Sequence, residues 1–343
     1  YISFGITYIQ NTKRRKSRLM KETTPLLTDS FGRDHAYLRI SLIERCNLRC
    51  TYCMPEEGVK LSPRSHLMTY EEIYTIAQTF VKHGVTKIRL TGGEPLIRKD
   101  IGVILEKLAS LPVSLSITTN AVIVDQYIDL LKQYGVLSIN VSLDSLDREK
   151  FRQITRRDEF ERVYKNILLL VAEGFHVKVN AVLMKDFNEN EIIHFIELTK
   201  ELPVSIRFIE FMPFDGNKWD MGKMVSYKTI MEYVGAHYSE KQIERLQDAP
   251  NDTSKNYKIT AYKGSFAIIS SVTNPFCDTC NRLRLTANGQ LKNCLFSTTE
   301  SDLLTNLRAG KDIEPIIKKA VMAKLKVRGG MDTLEKLQDP KFH

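Results

Sequence analysis

Residues 69–95 read TYEEIYTIAQTFVKHGVTKIRLTGGEP, and this stretch holds the unit from which the rest of the fold follows. Ile73, Ile76, Ala77, Phe80 and Val81 recur at helical spacing and form one apolar stripe. Thr69 opens the helix and Glu72 follows three residues later, a capping box for two otherwise unpaired N–H groups. Gly84 stands where a left-handed residue closes a helix, and Thr86–Leu90 then reads as a strand. Thr91-Gly92-Gly93-Glu94-Pro95 ends the unit with paired glycines, which let a ligand approach the backbone closely.

The unit recurs. Strand-like runs lie at Tyr37–Leu42, Thr86–Leu90, Val113–Thr118, Leu137–Leu143, Val177–Leu183 and Val204–Phe211, with helical patterns between them. Gly135 and Gly174 close two more helices. Such alternation means an α/β fold of parallel βαβ units, as an open doubly wound sheet or a partial barrel. No Gly-x-Gly-x-x-Gly follows the first strand, so a partial (β/α)6 TIM-like barrel is expected, with ligands at the C-terminal strand ends. Past about Gly222 the alternation weakens, and Pro250-Asn251-Asp252 marks a turn or linker. Tyr257–Tyr262 and Phe266–Val272 read as a strand pair joined at Lys263-Gly264, with helices following through about Leu325. The expected organisation is a mostly disordered N-terminal tail over 1–34, the barrel over 35–250, and a smaller α+β domain over 251–343.

With 43% hydrophobic and 27% charged residues the composition is globular, and no run approaches the length of an apolar membrane span. The net charge of +9 fits either a solvated basic surface or a polyanionic ligand. The basic run Lys13-Arg14-Arg15-Lys16 suits an unstructured leader, a transit peptide, or sequence upstream of a start at Met20. Cytoplasm is the expected compartment, with the mitochondrial matrix as the alternative. The six cysteines fall into two groups of three, Cys46, Cys50, Cys53 and Cys277, Cys280, Cys294. Their spacing favours metal or redox chemistry over disulfides.

Cys46-x-x-x-Cys50-x-x-Cys53 sits just past the first strand, at the ligand-binding rim. Thiolates suit zinc and iron–sulfur clusters, and three of them leave one metal position uncovered. A zinc site completed by a remote residue stays open on spacing alone. With Tyr52 before the last cysteine, the motif resembles the radical S-adenosylmethionine superfamily. That resemblance implies an open iron that chelates S-adenosylmethionine and an electron that cleaves it to a 5′-deoxyadenosyl radical. It further implies cofactor contacts from Tyr52, Gly93, Ser142 in Asn140-Val-Ser-Leu-Asp144, and Met212.

Cys277-x-x-Cys280 with Cys294 is again one ligand short of closure; a zinc knuckle is the plainer reading. If Arg282-Leu283-Arg284 is extended, both guanidiniums share a face and suit phosphate oxygens. Arg39, Arg89, Lys178 and Arg207 add strand cations, which either line the barrel around an anion or pair with helices outside. From about Leu27 to Val321 the chain resembles the GTP 3′,8-cyclase family, which carries out the first step of molybdenum cofactor (molybdopterin) biosynthesis. Ile206-Arg-Phe-Ile-Glu-Phe-Met212 and Cys277-x-x-Cys280-Asn-Arg282-Leu-Arg284 carry that likeness best.

The resemblance implies two [4Fe-4S] clusters, and GTP held by Arg39, Arg89, Thr118, Lys178, Arg282 and Arg284 with its base on the open iron of the second. It also implies a reducing donor such as flavodoxin or ferredoxin, and a downstream cyclic pyranopterin monophosphate synthase. A homodimer, with neither nucleic acid nor membrane as partner, completes the expectation. The family's members end in a Gly-Gly tail, whereas this sequence closes on Pro340-Lys341-Phe342-His343 with Gly329-Gly330 too far back to serve. Poor turnover without an added tail peptide is therefore the expectation.

Overall fold

A computed structural model describes residues 25–54, 61–213 and 219–339. The basic leader and the closing Pro340–His343 lie outside these residues. Six strands run in chain order: β1 Tyr37–Ser41, β2 Lys87–Thr91, β3 Ser114–Thr119, β4 Ser138–Ser142, β5 His176–Leu183 and β6 Ser205–Glu210. Each pairs in parallel with the next. Between them lie helices α1 Tyr70–Lys82, α2 Ile101–Ala109, α3 Ile128–Gln133, α4 Arg148–Thr155, α5 Phe160–Ala172 and α6 Ile192–Glu201.

The local signals act as their chemistry requires. The Glu72 N–H donates to Thr69 Oγ1 at 3.3 Å and the Thr69 N–H to Glu72 Oε2 at 2.7 Å, completing the capping box. Ile73, Ile76, Ala77 and Phe80 are buried, each larger side chain contributing about 1.5–3 kcal/mol. Gly84, Gly135 and Gly174 all have positive φ just past their helices.

The strands after residue 243 extend both edges of this array. β9, Ser265–Ile269, lies parallel to β6, and β10, Arg282–Leu285, lies parallel to β1. Antiparallel β8 (Lys255–Ile259) and β7 (Ile243–Arg245) flank β9, while β11 (Gln290–Lys292) and β12 (Ser301–Asp302) flank β10. Among the described residues the sheet has twelve strands with free ends at β12 and β7, so their hydrogen bonds do not close it. It nevertheless curls. Side chains from all eight parallel strands line one cavity, although eight strands laid flat would span about 34 Å.

Two sequence expectations need correction. The strands of the β8–β9 pair begin and end earlier than Tyr257–Tyr262 and Phe266–Val272, and a longer turn with Ala261 at φ 69° joins them. Gly264 is needed for proximity, not for a tight turn: a Cβ there would sit 2.2 Å from the Val204 carbonyl oxygen. Residues 25–34, expected within the tail, are packed. Asp29 is buried and accepts N–H bonds from Phe31 (2.9 Å) and Arg33 (3.0 Å), and Leu27 joins the main core.

The alternation along the strands decides what the barrel can hold. Leu38, Ile40, Ile88, Leu90, Ile117, Ile139, Val141, Ile206 and Phe208 belong to the main apolar core. The intervening positions are polar or cationic, which an ordinary packed barrel centre would not tolerate. Among the described residues no helix is long and apolar enough to cross a membrane.

Candidate active site: a cation-walled cavity and two cysteine triads

Register stacks the inward side chains in rows. Arg284, Arg39 and Arg89 are level across β10, β1 and β2; Thr118, Asn140 and Lys178 are level across β3, β4 and β5; Asn180 faces Arg207. All of these but Lys178 surround a cavity of about 270 Å³ whose wall includes Arg39, Arg89, Thr118, Arg207, Arg282 and Arg284. Strand cations thus line the interior. β10 is extended as Arg282-Leu-Arg284 required, and both guanidiniums reach the cavity.

These cations lack carboxylate partners. Among the described residues no salt bridge involves Arg39, Arg89, Lys178, Arg207 or Arg284. Burial, reinforced by neighbouring positive charge, lowers Arg284 to about 9, Arg89 to about 10 and Lys178 to about 8. The Asp252 carboxylate favours the charged forms of Lys178 and Arg207 through its field. The Nε atoms of Arg39 and Arg207 and the Oδ1 atoms of Asn140 and Asn180 are buried without a hydrogen-bond partner. An unsatisfied buried polar group costs about 1–3 kcal/mol, so these atoms fit a polyanionic ligand that offers both acceptors and donors.

The second triad opens onto this cavity, where Cys277, Cys280 and Cys294 form part of the wall. Several contacts brace it. Arg33, paired with Asp29 at 2.7 Å, donates to the Cys277 carbonyl at 2.8 Å, to Lys326 O at 2.9 Å and to Leu325 O at 3.0 Å. Buried Glu210 accepts the Val272 and Thr273 N–H bonds, each at 2.9 Å, while Arg328 donates to the Val272 carbonyl at 2.7 Å. Lys324 Nζ lies 3.4 Å from Cys280 Sγ and donates to the Arg282 carbonyl at 2.8 Å. Burial alone would raise the Cys280 thiol, but Lys324 and Arg282 hold it down to about 7.

The first triad lies off the cavity wall, one step along the same strand faces. Thr118 lines the cavity; two residues on, Asn120 donates to Cys46 Sγ at 3.6 Å and to Asn47 Oδ1 at 2.7 Å. The loop is clamped from several sides. The Arg49 and Thr51 N–H groups donate to the carbonyls of Thr155 and Ile154, each at 2.9 Å, and Tyr52 O–H donates to Asp144 at 2.7 Å. Burial pushes the Cys46, Cys50 and Cys53 thiols up, and burial also lifts Asp144 to about 6. Gly92 and Gly93 have a reason of their own here: the backbone approaching them is the root of this loop. A Cβ on Gly93 would stand 2.0 Å from the Arg45 carbonyl oxygen, and the Gly93 N–H bonds Ile43 O at 2.7 Å. Next in the motif, Glu94 accepts from Thr119 Oγ1 at 2.8 Å and the Asn120 N–H at 2.7 Å, fixing the asparagine that touches Cys46.

The structure brings the cysteines of each triad together, close enough for each thiol's field to reach its neighbours. It sets Met212 on the cavity wall, leaves Tyr52, Gly93 and Ser142 at the strand-end rim, and keeps Lys178 off the wall but within the field of Arg89 and Arg207. Sequence reasoning gave no site role to Asn180, Asn293 or Lys324. Strand parity flags Asn180, two residues beyond Lys178 on the same face. Lys324 carries no local signal, because only the tertiary fold brings it to Cys280. Among the described residues no three His, Cys, Asp or Glu side chains are placed to hold a single metal ion.

A curled parallel sheet with a cysteine loop after its first strand defines the radical S-adenosylmethionine class. The model described as "Radical SAM superfamily" matches residues 40–199, and that described as "Molybdenum Cofactor Synthesis C" matches 204–329. The chain is 47% identical to "GTP 3′,8-cyclase, mitochondrial" of Arabidopsis thaliana, covering 93% of this chain and 83% of that protein. It is 40% identical to "GTP 3′,8-cyclase" of Listeria monocytogenes, over 86% of this chain and 90% of the relative. Against "Molybdenum cofactor biosynthesis protein 1" of Drosophila melanogaster the identity is 47%, over 90% of this chain and 54% of the relative. The chain therefore spans about half the length of such animal relatives. Among solved structures, Streptococcus suis SuiB bound to S-adenosylmethionine shares the fold, with TM-score 0.63 and 17% identity over 95% of this chain and 72% of that one. The chain belongs to the GTP 3′,8-cyclase family of the radical S-adenosylmethionine superfamily.

Proposed function

We propose that this chain converts GTP to (8S)-3′,8-cyclo-7,8-dihydroguanosine 5′-triphosphate, with methionine and 5′-deoxyadenosine as co-products. The observation that carries the reading is the eight-strand cavity, bordered by Cys277, Cys280 and Cys294 and walled by guanidiniums that form no salt bridge among the described residues. Family membership supplies an iron–sulfur cluster and S-adenosylmethionine; that there are two [4Fe-4S] clusters is the finer proposal. Two separate groups of three thiols support it, since closely spaced cysteines are the ligands such clusters take.

Cys46, Cys50 and Cys53 would hold one cluster and Cys277, Cys280 and Cys294 the other, each leaving one iron for a small molecule. Bound there, the first cluster and S-adenosylmethionine supply a 5′-deoxyadenosyl radical. Tyr52, Gly93, Ser142 and Met212 are the proposed contacts of that co-substrate. Arg39, Arg89, Thr118, Lys178, Arg282 and Arg284 are the proposed contacts of GTP. Their work is placement: guanidinium forks fix the triphosphate, and binding energy far from the ribose holds its 3′ carbon against the reacting group. The buried wall limits the water and stray hydrogen donors that would quench a radical.

An electron donor such as flavodoxin or ferredoxin, a cyclic pyranopterin monophosphate synthase downstream, and a homodimer complete the proposal. The mitochondrial name of the plant relative accords with the matrix alternative. Arg282→Ala combined with Arg284→Ala tests the assignment. Calorimetry should show GTP affinity lost, while 5′-deoxyadenosine still forms without cyclised product. Equal loss of cofactor cleavage and cyclisation would overturn the roles.

A further inference from the structure

The two triads share a residue type but differ in electrostatic setting. Around the first, the carboxylates of Asp144 and Glu94 act on the thiols, with Arg49 the opposing charge. Around the second the sign is reversed. Lys324 Nζ is 3.4 Å from Cys280 Sγ, Arg282 and Arg328 act on Cys280 and Cys277, and Arg284 is within the field of Cys294. Lys324 is only 2% exposed, and its other bond, at 2.8 Å to the Arg282 carbonyl, aims the ammonium without neutralising it. An N–H···S bond and a nearby positive charge both stabilise the more negative, reduced state of a thiolate-bound iron–sulfur centre.

Resting on the two-cluster reading above, we propose that Lys324 is a potential-setting residue. Its ammonium donates to the Cys280 thiolate and makes the C-terminal centre easier to reduce than the N-terminal one. One electron from the titrant enters the centre, no bond breaks, and the lysine keeps its proton. Lys324 thus acts through Cys280, as a positioning and tuning residue.

The test is a potentiometric titration of the full chain, reconstituted without oxygen and followed by electron paramagnetic resonance, with dithionite as reductant. Alanines at Cys46, Cys50 and Cys53, or at Cys277, Cys280 and Cys294, isolate each centre's signal. Lys324→Met should move the reduction equilibrium of the C-terminal centre about tenfold toward the oxidised form, about 59 mV for one electron. Lys324→Arg should hold it near the parent value, and the N-terminal centre should not move in either variant. An unmoved C-terminal midpoint, or equal movement of both centres, overturns the inference. So does a Lys324→Arg midpoint displaced as far as that of Lys324→Met, and where Lys324→Met loses iron, Lys324→Gln takes its place in the same comparison. Absence of iron and sulfide at the C-terminal triad of the parent would instead sink the two-cluster reading.

Discussion

Replacing Gly93 by alanine separates the packing role of the paired glycines from general backbone strain. The added Cβ would lie 2.0 Å from the Arg45 carbonyl oxygen, 2.4 Å from its carbon and 2.7 Å from the Glu44 oxygen. All of these are backbone atoms, so no side chain can swing away. The loop root must retreat by about 1 Å to reach ordinary contact. That movement breaks or stretches the Gly93 N–H bond to Ile43 and the Glu94 N–H bond to Arg45, 2.7 and 2.8 Å long. Overpacking costs about 1–3 kcal/mol and each backbone bond about 1, so Gly93→Ala should destabilise the chain by about 3–5 kcal/mol.

Cys46 directly follows Arg45, so on the two-cluster proposal the N-terminal triad should also lose its iron while the C-terminal triad keeps its own. Gly84→Ala is the control. No atom lies within 4 Å of its added Cβ, and only the φ of 107° is strained, costing about 1–2 kcal/mol. Urea denaturation combined with iron and sulfide analysis reads both effects. A Gly93→Ala chain with full iron and parental stability would refute the reasoning.

Two further outcomes follow from buried charge. Burial holds His35 down to about 4, against 6.5 ordinarily, so the unfolded chain takes up its proton first as pH falls. Stability present above pH 6.5 should therefore be lost between 6.5 and about 4, by about 3 kcal/mol, and His35→Gln should flatten that slope in urea titrations. A variant with the parent's slope would show that other groups govern acid unfolding. Arg284→Met removes a half-buried cation that forms no salt bridge among the described residues, so the metal-free chain should gain about 1–4 kcal/mol even as the proposed GTP binding weakens. Denaturation showing a loss of stability would mean that the guanidinium is satisfied in the free protein.

The parallel array was legible because its strands alternate. Apolar positions such as Ile88 and Leu90 enter the core against the helices, and Arg89 and Thr91 turn to the cavity. Capping residues and closing glycines marked the helix ends for the same local reason. The cysteine triads and most of the proposed nucleotide contacts were also readable, since spacing and parity are local. What remained hidden is non-local. Nothing in Ser265–Ile269 or Arg282–Leu285 says that one joins β6 and the other β1. Gly264 looked like a turn residue because its close neighbours, Leu202 and Val204, lie some sixty positions earlier. The reach of Arg33 to Cys277, and of Lys324 to Cys280, is likewise a product of assembly.

That edge arrangement has a consequence for dissecting the molecule. One downstream stretch supplies the neighbours of β1 and of β6, so it grips the array like a strap fastened at both ends. Severing the chain between β7 and β8 would leave two long parallel edges bare, each a template for pairing with another copy. A fragment ending there should be recovered as aggregate.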